Sequence, residues 1–193
     1  MATVDIETLR TQVLDAAESL FYGQGLQAVG MDAIRSAAGV SLKRLYQLFP
    51  SKEDLVEAYL SRRDARWREE LARYVDGHGS PRERLLAVFD WLHQWFSEEG
   101  FRGCAFINSF GELGAVSPGI TQAARAHKEA FHSYLAGLVA AAGEPARLTE
   151  QLALLAEGAI TTAAISGSPE PARHARATAE HLLSASPAAT GAR

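Results

Sequence analysis

The chain of 193 residues has a single cysteine, Cys104, so it cannot form an internal disulfide, which suits a reducing cytoplasm. It has no uninterrupted run of about 18 apolar residues, which argues against a membrane-spanning helix. Its start carries Asp5 and Glu7 where a secretory leader would show basic residues and then an apolar stretch, so no signal peptide is expected. The six histidines (His78, His93, His127, His132, His174 and His181) form no HxxxH or HxxE pair. Neither GxSxG nor GxxxxGK[ST] occurs. No metal, cofactor or catalytic residue is therefore expected. Positive charge is not in excess either, because the formal net charge is −4. Residues 1–75 hold 10 bases against 11 acids, giving −1, and residues 76–193 hold 9 against 12, giving −3. Strand-like alternation never persists, and Pro and Gly punctuate helical periodicities. The class is all-α.

What the chain does contain is an organised stretch from Ala33 to Lys52, AIRSAAGVSLKRLYQLFPSK. Ile34 and Ala38 share one helical face, and Gly39 suits the left-handed conformation that closes a helix. Val40 is placed to fill the angle of the turn. Ser41 is an N-cap for a second helix whose inward face is Leu45, Leu48 and Phe49. Pro50 stops that helix, and Ser51 caps the next, with Asp54 three residues on. Two helices joined by a short turn containing Gly is the layout of a helix-turn-helix. Lys43, Arg44 and Gln47 fall on the outward face, and their side-chain types bond base edges and phosphates. The stretch holds Arg35, Lys43, Arg44 and Lys52 with no acid. A solvated face is the plainer reading, but an acid-free run is unusual in a chain with more acids than bases.

The run from Val13 to Leu60 resembles the DNA-binding domain of the TetR/AcrR-type transcriptional regulators. The resemblance rests on AAxxLF in the first helix, the Gly25 turn, the AAGVS turn and LYxxFPSKEDL, about a quarter of the chain. It implies a homodimer that reads double-stranded DNA and responds to a small-molecule effector. Gly-Met stands where many members carry a Thr cap near Gly30. Lys43, Arg44 and Gln47 replace the family's frequent Gly, small hydroxyl residue and His or Tyr, so the resemblance implies the fold and leaves the base preference open. The expected DNA contacts are Ser41, Leu42, Lys43, Arg44, Tyr46 and Gln47. For Lys52 the resemblance implies a backbone-phosphate role.

Taken in order, a helix is expected over about 6–23, with Arg10 and Tyr22 either reaching phosphates or, the favoured reading, facing solvent. Another runs from Lys52 to about Tyr74, with Arg62, Arg63, Arg66, Arg68 and Arg73 interleaved among acids as a salt-bridged surface. The expected division is a helix-turn-helix domain over 1–52, a connecting helix over 53–75 and a ligand-binding and dimerisation bundle over 76–185. A disordered tail is expected over 186–193. In the bundle the last two long helices carry small and aliphatic residues on one side, which suits packing against a second copy. The alternative is that they only cover the monomer core.

Aromatic residues concentrate in the second half. With Asn108, Glu112 and Thr161 as polar groups, they resemble an apolar pocket with a few orienting contacts. The candidate ligand residues are Trp67, Trp91, Trp95, Cys104, Asn108, Phe110, His127, Phe131 and Thr161. Aromatic stripes at helical spacing are more often core than pocket, and it is the resemblance that favours a pocket. A sensor built on Cys104 and His127 is the weaker idea, since a lone cysteine on an apolar helix is usually a small buried hydrophobe. The reading is a cytoplasmic, non-enzymatic regulator, most simply a repressor released by a largely apolar effector. Its rival is an all-α ligand-binding or enzymatic protein that keeps the helix-turn-helix without using it on DNA.

Overall fold

The computed structural model describes residues 5–185, and the tail expected over 186–193 lies outside them. Among the described residues the regular structure is entirely helical. The helices are α1 (Ile6–Gln24), α2 (Met31–Ala37), α3 (Leu42–Leu48), α4 (Lys52–Asp76), α5 (Pro81–Phe96), α6 (Ala105–Leu113), α7 (Pro118–Ala141), α8 (Arg147–Ser166) and α9 (Glu170–Ala185). Their ends follow the punctuation in the sequence within two residues or so.

The chain divides into two compact units that are not contiguous in sequence. The first takes residues up to Ala65 together with Ala105–Arg125, and the second takes Arg66–Cys104 and everything from Ala126 onward. The sequence suggested a single change of domain near residue 76. The difference has a physical cause in side chains of α6 and the following turn. Glu112 accepts hydrogen bonds from the backbone N–H groups of Leu26 and Gln27, and Ser117 Oγ donates to Glu53 at 2.5 Å. These bonds tie residues 105–125 to the N-terminal helices, and no local pattern announces them.

In the first unit, the stripe of α1 is buried through Val13, Ala17 and Phe21, with Ile34 from α2 and Leu45 and Phe49 from the end of α3. Leu55, Tyr59 and Leu60 close that core from α4, and the Phe21 and Tyr59 rings stand 5.7 Å apart. Removing these side chains from water is what holds two seven-residue helices that would not persist alone.

In the second unit, α9 packs on α5 and α8 and buries Ala172, Ala175 and Ala179, whose short side chains let helices approach closely, together with Leu183. Helix α5 begins with a reciprocal cap. Ser80 Oγ accepts from the Glu83 N–H at 3.2 Å, and the Ser80 N–H donates to the Glu83 carboxylate at 2.8 Å. The carboxylate accepts from both the Ser80 N–H and the Ser80 hydroxyl, and these two bonds favour the ionised form and hold the Glu83 carboxyl below its ordinary value.

Candidate nucleic-acid interface

The reading head is built from its turn outward. Gly39 takes φ +64°, the left-handed conformation that a side chain resists, and Val40 N–H then bonds the Arg35 carbonyl at 3.0 Å. Ser41 follows in extended backbone, and its Oγ accepts from the Arg44 N–H at 3.2 Å. Leu45 and Phe49 anchor α3 inward, so the opposite face is fixed by helical period. Lys43 and Gln47 are exposed on it with Tyr46 beside them, Ser41 and Leu42 are exposed at the start of the helix, and Arg44 is half-buried. Arg44 Nη1 donates to Gln47 Oε1 at 3.3 Å, so the two side chains lie together on one surface. The structure thus brings six of the seven expected DNA contacts onto one short helix and its cap.

Lys52, the seventh, has a partner inside the protein. Its Nζ donates to the Leu26 carbonyl at 2.5 Å and lies 6.0 Å from the centre of the Phe21 ring. An ammonium carries three donors, so this bond still leaves capacity for a phosphate. Arg35 also departs from the acid-free picture, because Asp32, one turn earlier, pairs with it at 2.7 Å.

Three expectations about charged and polar side chains are corrected. Arg10 does not face solvent: its guanidinium donates to the Leu48 carbonyl at 3.2 Å and lies 4.3 Å over the Phe49 ring. Tyr22 is likewise covered, by the Arg63 guanidinium at 3.8 Å. The arginines of α4 are not uniformly a surface network. Arg62 bonds Asp15 and Glu18 on α1, and buried Arg63 bonds Glu18 at 2.8 Å. Two helices drawn together around one carboxylate explain why these cations point inward. Arg66 and Arg73 do behave as expected, pairing along the helix with Glu70 and Glu69.

The nine candidate ligand residues fall into separate groups. Trp67 has Trp91, Trp95, His127 and Phe131 around it at 5.1–5.7 Å between ring centres, mostly edge to face, and all five are buried. These are distances of aromatic rings in contact. Cys104 is buried but sits beside Lys128, 3.4 Å from Sγ to Nζ, with the ammonium held by both oxygens of Glu157. The polar partner of its thiol is therefore Lys128. Thr161 is exposed on α8, and Asn108 and Phe110 are exposed on α6 in the first unit. Helical period puts Thr161 opposite the buried face of α8, while Asn108 and Phe110 flank the buried Ala105, Phe106 and Ser109 of α6. Glu112, expected to orient a ligand, is instead the partner of the 26–27 backbone.

Three buried polar atoms of the second unit have no hydrogen-bond partner among the described residues, Trp67 Nε1, His93 Nε2 and Tyr134 Oη, although His93 Nε2 lies 4.0 Å from the Glu170 carboxylate. Burial pushes the Tyr134 hydroxyl up to about 12, with Asp76 adding to the effect. A groove of about 870 Å³ lies elsewhere, along α1. Its lining includes Glu7 and Asp15 and no cation, which makes it a poor seat for phosphate. Among the described residues no cluster of His, Cys, Asp and Glu is placed to hold a metal ion, and no helix is long and apolar enough to cross a membrane.

Comparison with known proteins agrees with this geometry. Residues 13–59 match the family described as bacterial regulatory proteins, tetR family, and residues 81–179 match the tetracyclin repressor-like C-terminal domain. A TetR-family transcriptional regulator from Streptomyces coelicolor superposes with a TM-score of 0.84 at 28% identity, over 91% of this chain and 94% of that one. A TetR transcriptional regulator from Streptomyces avermitilis does so with a TM-score of 0.78 at 31% identity, over 92% and 97%. An HTH-type transcriptional regulator of Mycobacterium tuberculosis is 39% identical over 80 residues, 42% of this chain and 40% of its own length. The HTH-type transcriptional activator FasR of Mycolicibacterium smegmatis is 36% identical over 97 residues, 48% of this chain and 43% of its own length. The chain thus spans about two fifths of the length of the curated relatives it matches. With a matched N-terminal reading domain, a matched C-terminal domain and full-length structural counterparts, this chain belongs to the TetR family of bacterial transcriptional regulators.

Proposed function

We propose that the protein is a homodimeric, one-component repressor that binds an inverted-repeat operator and is released by a small, largely apolar effector. The observation that carries this reading is the outward face of α3, where Lys43, Arg44, Tyr46 and Gln47 stand together without an acid among them. Lys43, Arg44 and Gln47 reach base edges in the major groove, while Ser41, Leu42, Tyr46 and Lys52 hold the backbone. One such face offers few phosphate contacts in a chain of net charge −4, so two copies on two half-sites are needed for useful affinity.

The surface of α8 supports the second copy. Leu154 and Ile165 are 73% and 83% exposed, and Gly158 and Thr161 lie between them at helical spacing on the same face. Large apolar side chains this exposed, with small residues between them, suit a close helix–helix interface. Replacing both with Glu should turn a dimer into a monomer in sedimentation, and an unchanged mass would place the interface elsewhere. The effector region is the aromatic cluster around Trp67, whose indole N–H would orient a hydrogen-bond acceptor on an otherwise apolar molecule. Such a molecule acts only through different affinities for the DNA-competent and released forms.

The deciding experiment is selection of bound fragments from random DNA near physiological salt. Recovery of one inverted repeat is the expected result. Recovery of nothing above background would sink the proposal and leave the helix-turn-helix as a scaffold.

A further inference from the structure

The backbone between α1 and α2 is held from both sides by long-range ionic side chains. Helix α1 ends at Gly25, where φ is +92°, and the next two N–H groups point away from the helix. Glu112 of α6 takes both: Oε1 accepts from Leu26 at 3.1 Å and Oε2 from Gln27 at 2.8 Å. Gln27 Nε2 returns a bond to the Glu112 carbonyl at 2.7 Å. On the other side Lys52 Nζ donates to the Leu26 carbonyl. An anion on the N–H groups and a cation on the C=O align with the polarity of the peptide groups, and such charge-assisted bonds are the stronger kind. At φ +92° an L side chain is strained, and a Cβ at residue 25 would also press on Glu112 Oε1 at 3.0 Å, so the carboxylate would have to shift by a few tenths of an ångström. Buried Leu26 and Val29 sit in the loop so gripped, and α2 and α3 follow directly from it.

We propose that Glu112 is a positioning residue for DNA recognition: by clamping residues 25–27 to α6 it fixes where α2 and the reading helix α3 stand. The role presupposes that α3 reads DNA, as argued above. It also gives a reason for an acid in a unit whose task is to approach phosphates. The clamp lies wholly within the first unit, so that unit depends on residues far along the chain.

The test uses the full chain with Glu112→Ala, Glu112→Gln and, from the other side of the clamp, Gly25→Ala. Amide exchange at Leu26 and Gln27 should speed up about tenfold or more in Glu112→Ala, and operator affinity should fall about tenfold. Affinity for random DNA should stay within about twofold, because the phosphate-binding cations remain. Glu112→Gln removes the same charge but keeps one acceptor, so it should fall between wild type and Glu112→Ala. Gly25→Ala should reproduce the loss with Glu112 intact. Unaltered protection at Leu26 and Gln27 would overturn the clamp. Equal losses on operator and random DNA, or a rise on both, would reduce Glu112 to general stability or charge. If the wild type selects no sequence, the recognition reading fails and the positioning role with it, whereas amide exchange still reports on the clamp alone.

Discussion

The two units solve opposite problems with their polar groups. In the first, backbone and ionic groups at the turns are met by named partners: Ser41 on Arg44, Ser51 on Asp54, Glu112 and Lys52 on the 25–27 loop, and Glu18 between Arg62 and Arg63. What remains outward on α3 is a set of donors and acceptors on a pre-ordered frame. In the second, the largest rings pack on one another, and Trp67 Nε1, His93 Nε2 and Tyr134 Oη are buried with no hydrogen bond. A buried unsatisfied group costs about 1–3 kcal/mol, so it is a place where a partner molecule has something to gain. Among the described residues the unmet buried atoms lie mostly in the second unit, with Arg62 Nε the one in the first, so the difference between a surface prepared for recognition and an interior that still lacks partners is one of degree.

The largest test of this contrast is to damage each core separately. Phe131→Ala should cost about 3–5 kcal/mol and Leu45→Ala about 2–5 kcal/mol, from lost burial plus the cavity left behind. Hydrogen exchange should then show protection lost mainly in the second unit for the former and in the first unit for the latter. Uniform loss across the chain in both variants would erase the distinction between units.

A smaller effect is expected at the reading surface. Arg44→Ala should weaken operator binding by about 1–3 kcal/mol and random DNA by distinctly less, measured by titration at one fixed salt concentration. Equal weakening on both would make Arg44 a phosphate contact. Ser41→Ala should lower stability by about 1 kcal/mol in chemical denaturation, since the cap bond to Arg44 N–H is lost. No change would mean that water replaces the cap at no cost.

The smallest change runs the other way. Tyr134→Phe keeps the ring and removes the unpartnered hydroxyl, so it should be neutral or stabilising by up to about 1 kcal/mol. Because the folded protein holds this proton up to about 12 and the unfolded chain releases it near 10, the native state binds more protons between those values. Wild-type stability should therefore fall as pH rises from about 10 to about 12, and Tyr134→Phe should flatten that fall. A phenol titrating at the ordinary value in the UV absorbance of the native protein would refute the burial argument.

Much of the reading head was legible because its determinants are local. Gly39, Ser41, Pro50 and Ser51 act within a few residues of themselves, and the period that buries Leu45 and Phe49 also points Lys43 and Gln47 outward. Trp67, Trp91, Trp95, His127 and Phe131 were legible as a group by type, since large aromatics in amphipathic helices find each other in the interior. Asn108, Phe110 and Thr161 were grouped with them by composition, which says nothing about the face each one occupies. Glu112 was misassigned for the same reason.

By itself, then, the amino-acid sequence determined the helical class, the helix-turn-helix and the outward set on α3, because caps, turns and helical period are short-range and obey the chain's own geometry. Tertiary structure alone decided that residues 105–125 join the N-terminal unit, that Arg62 and Arg63 converge on Glu18, and that Lys52 and Glu112 share one loop. Those are contacts between residues tens of positions apart. An ionic side chain pairs with whatever backbone or counter-charge packing brings within about 3 Å, and that distance is not written in local pattern.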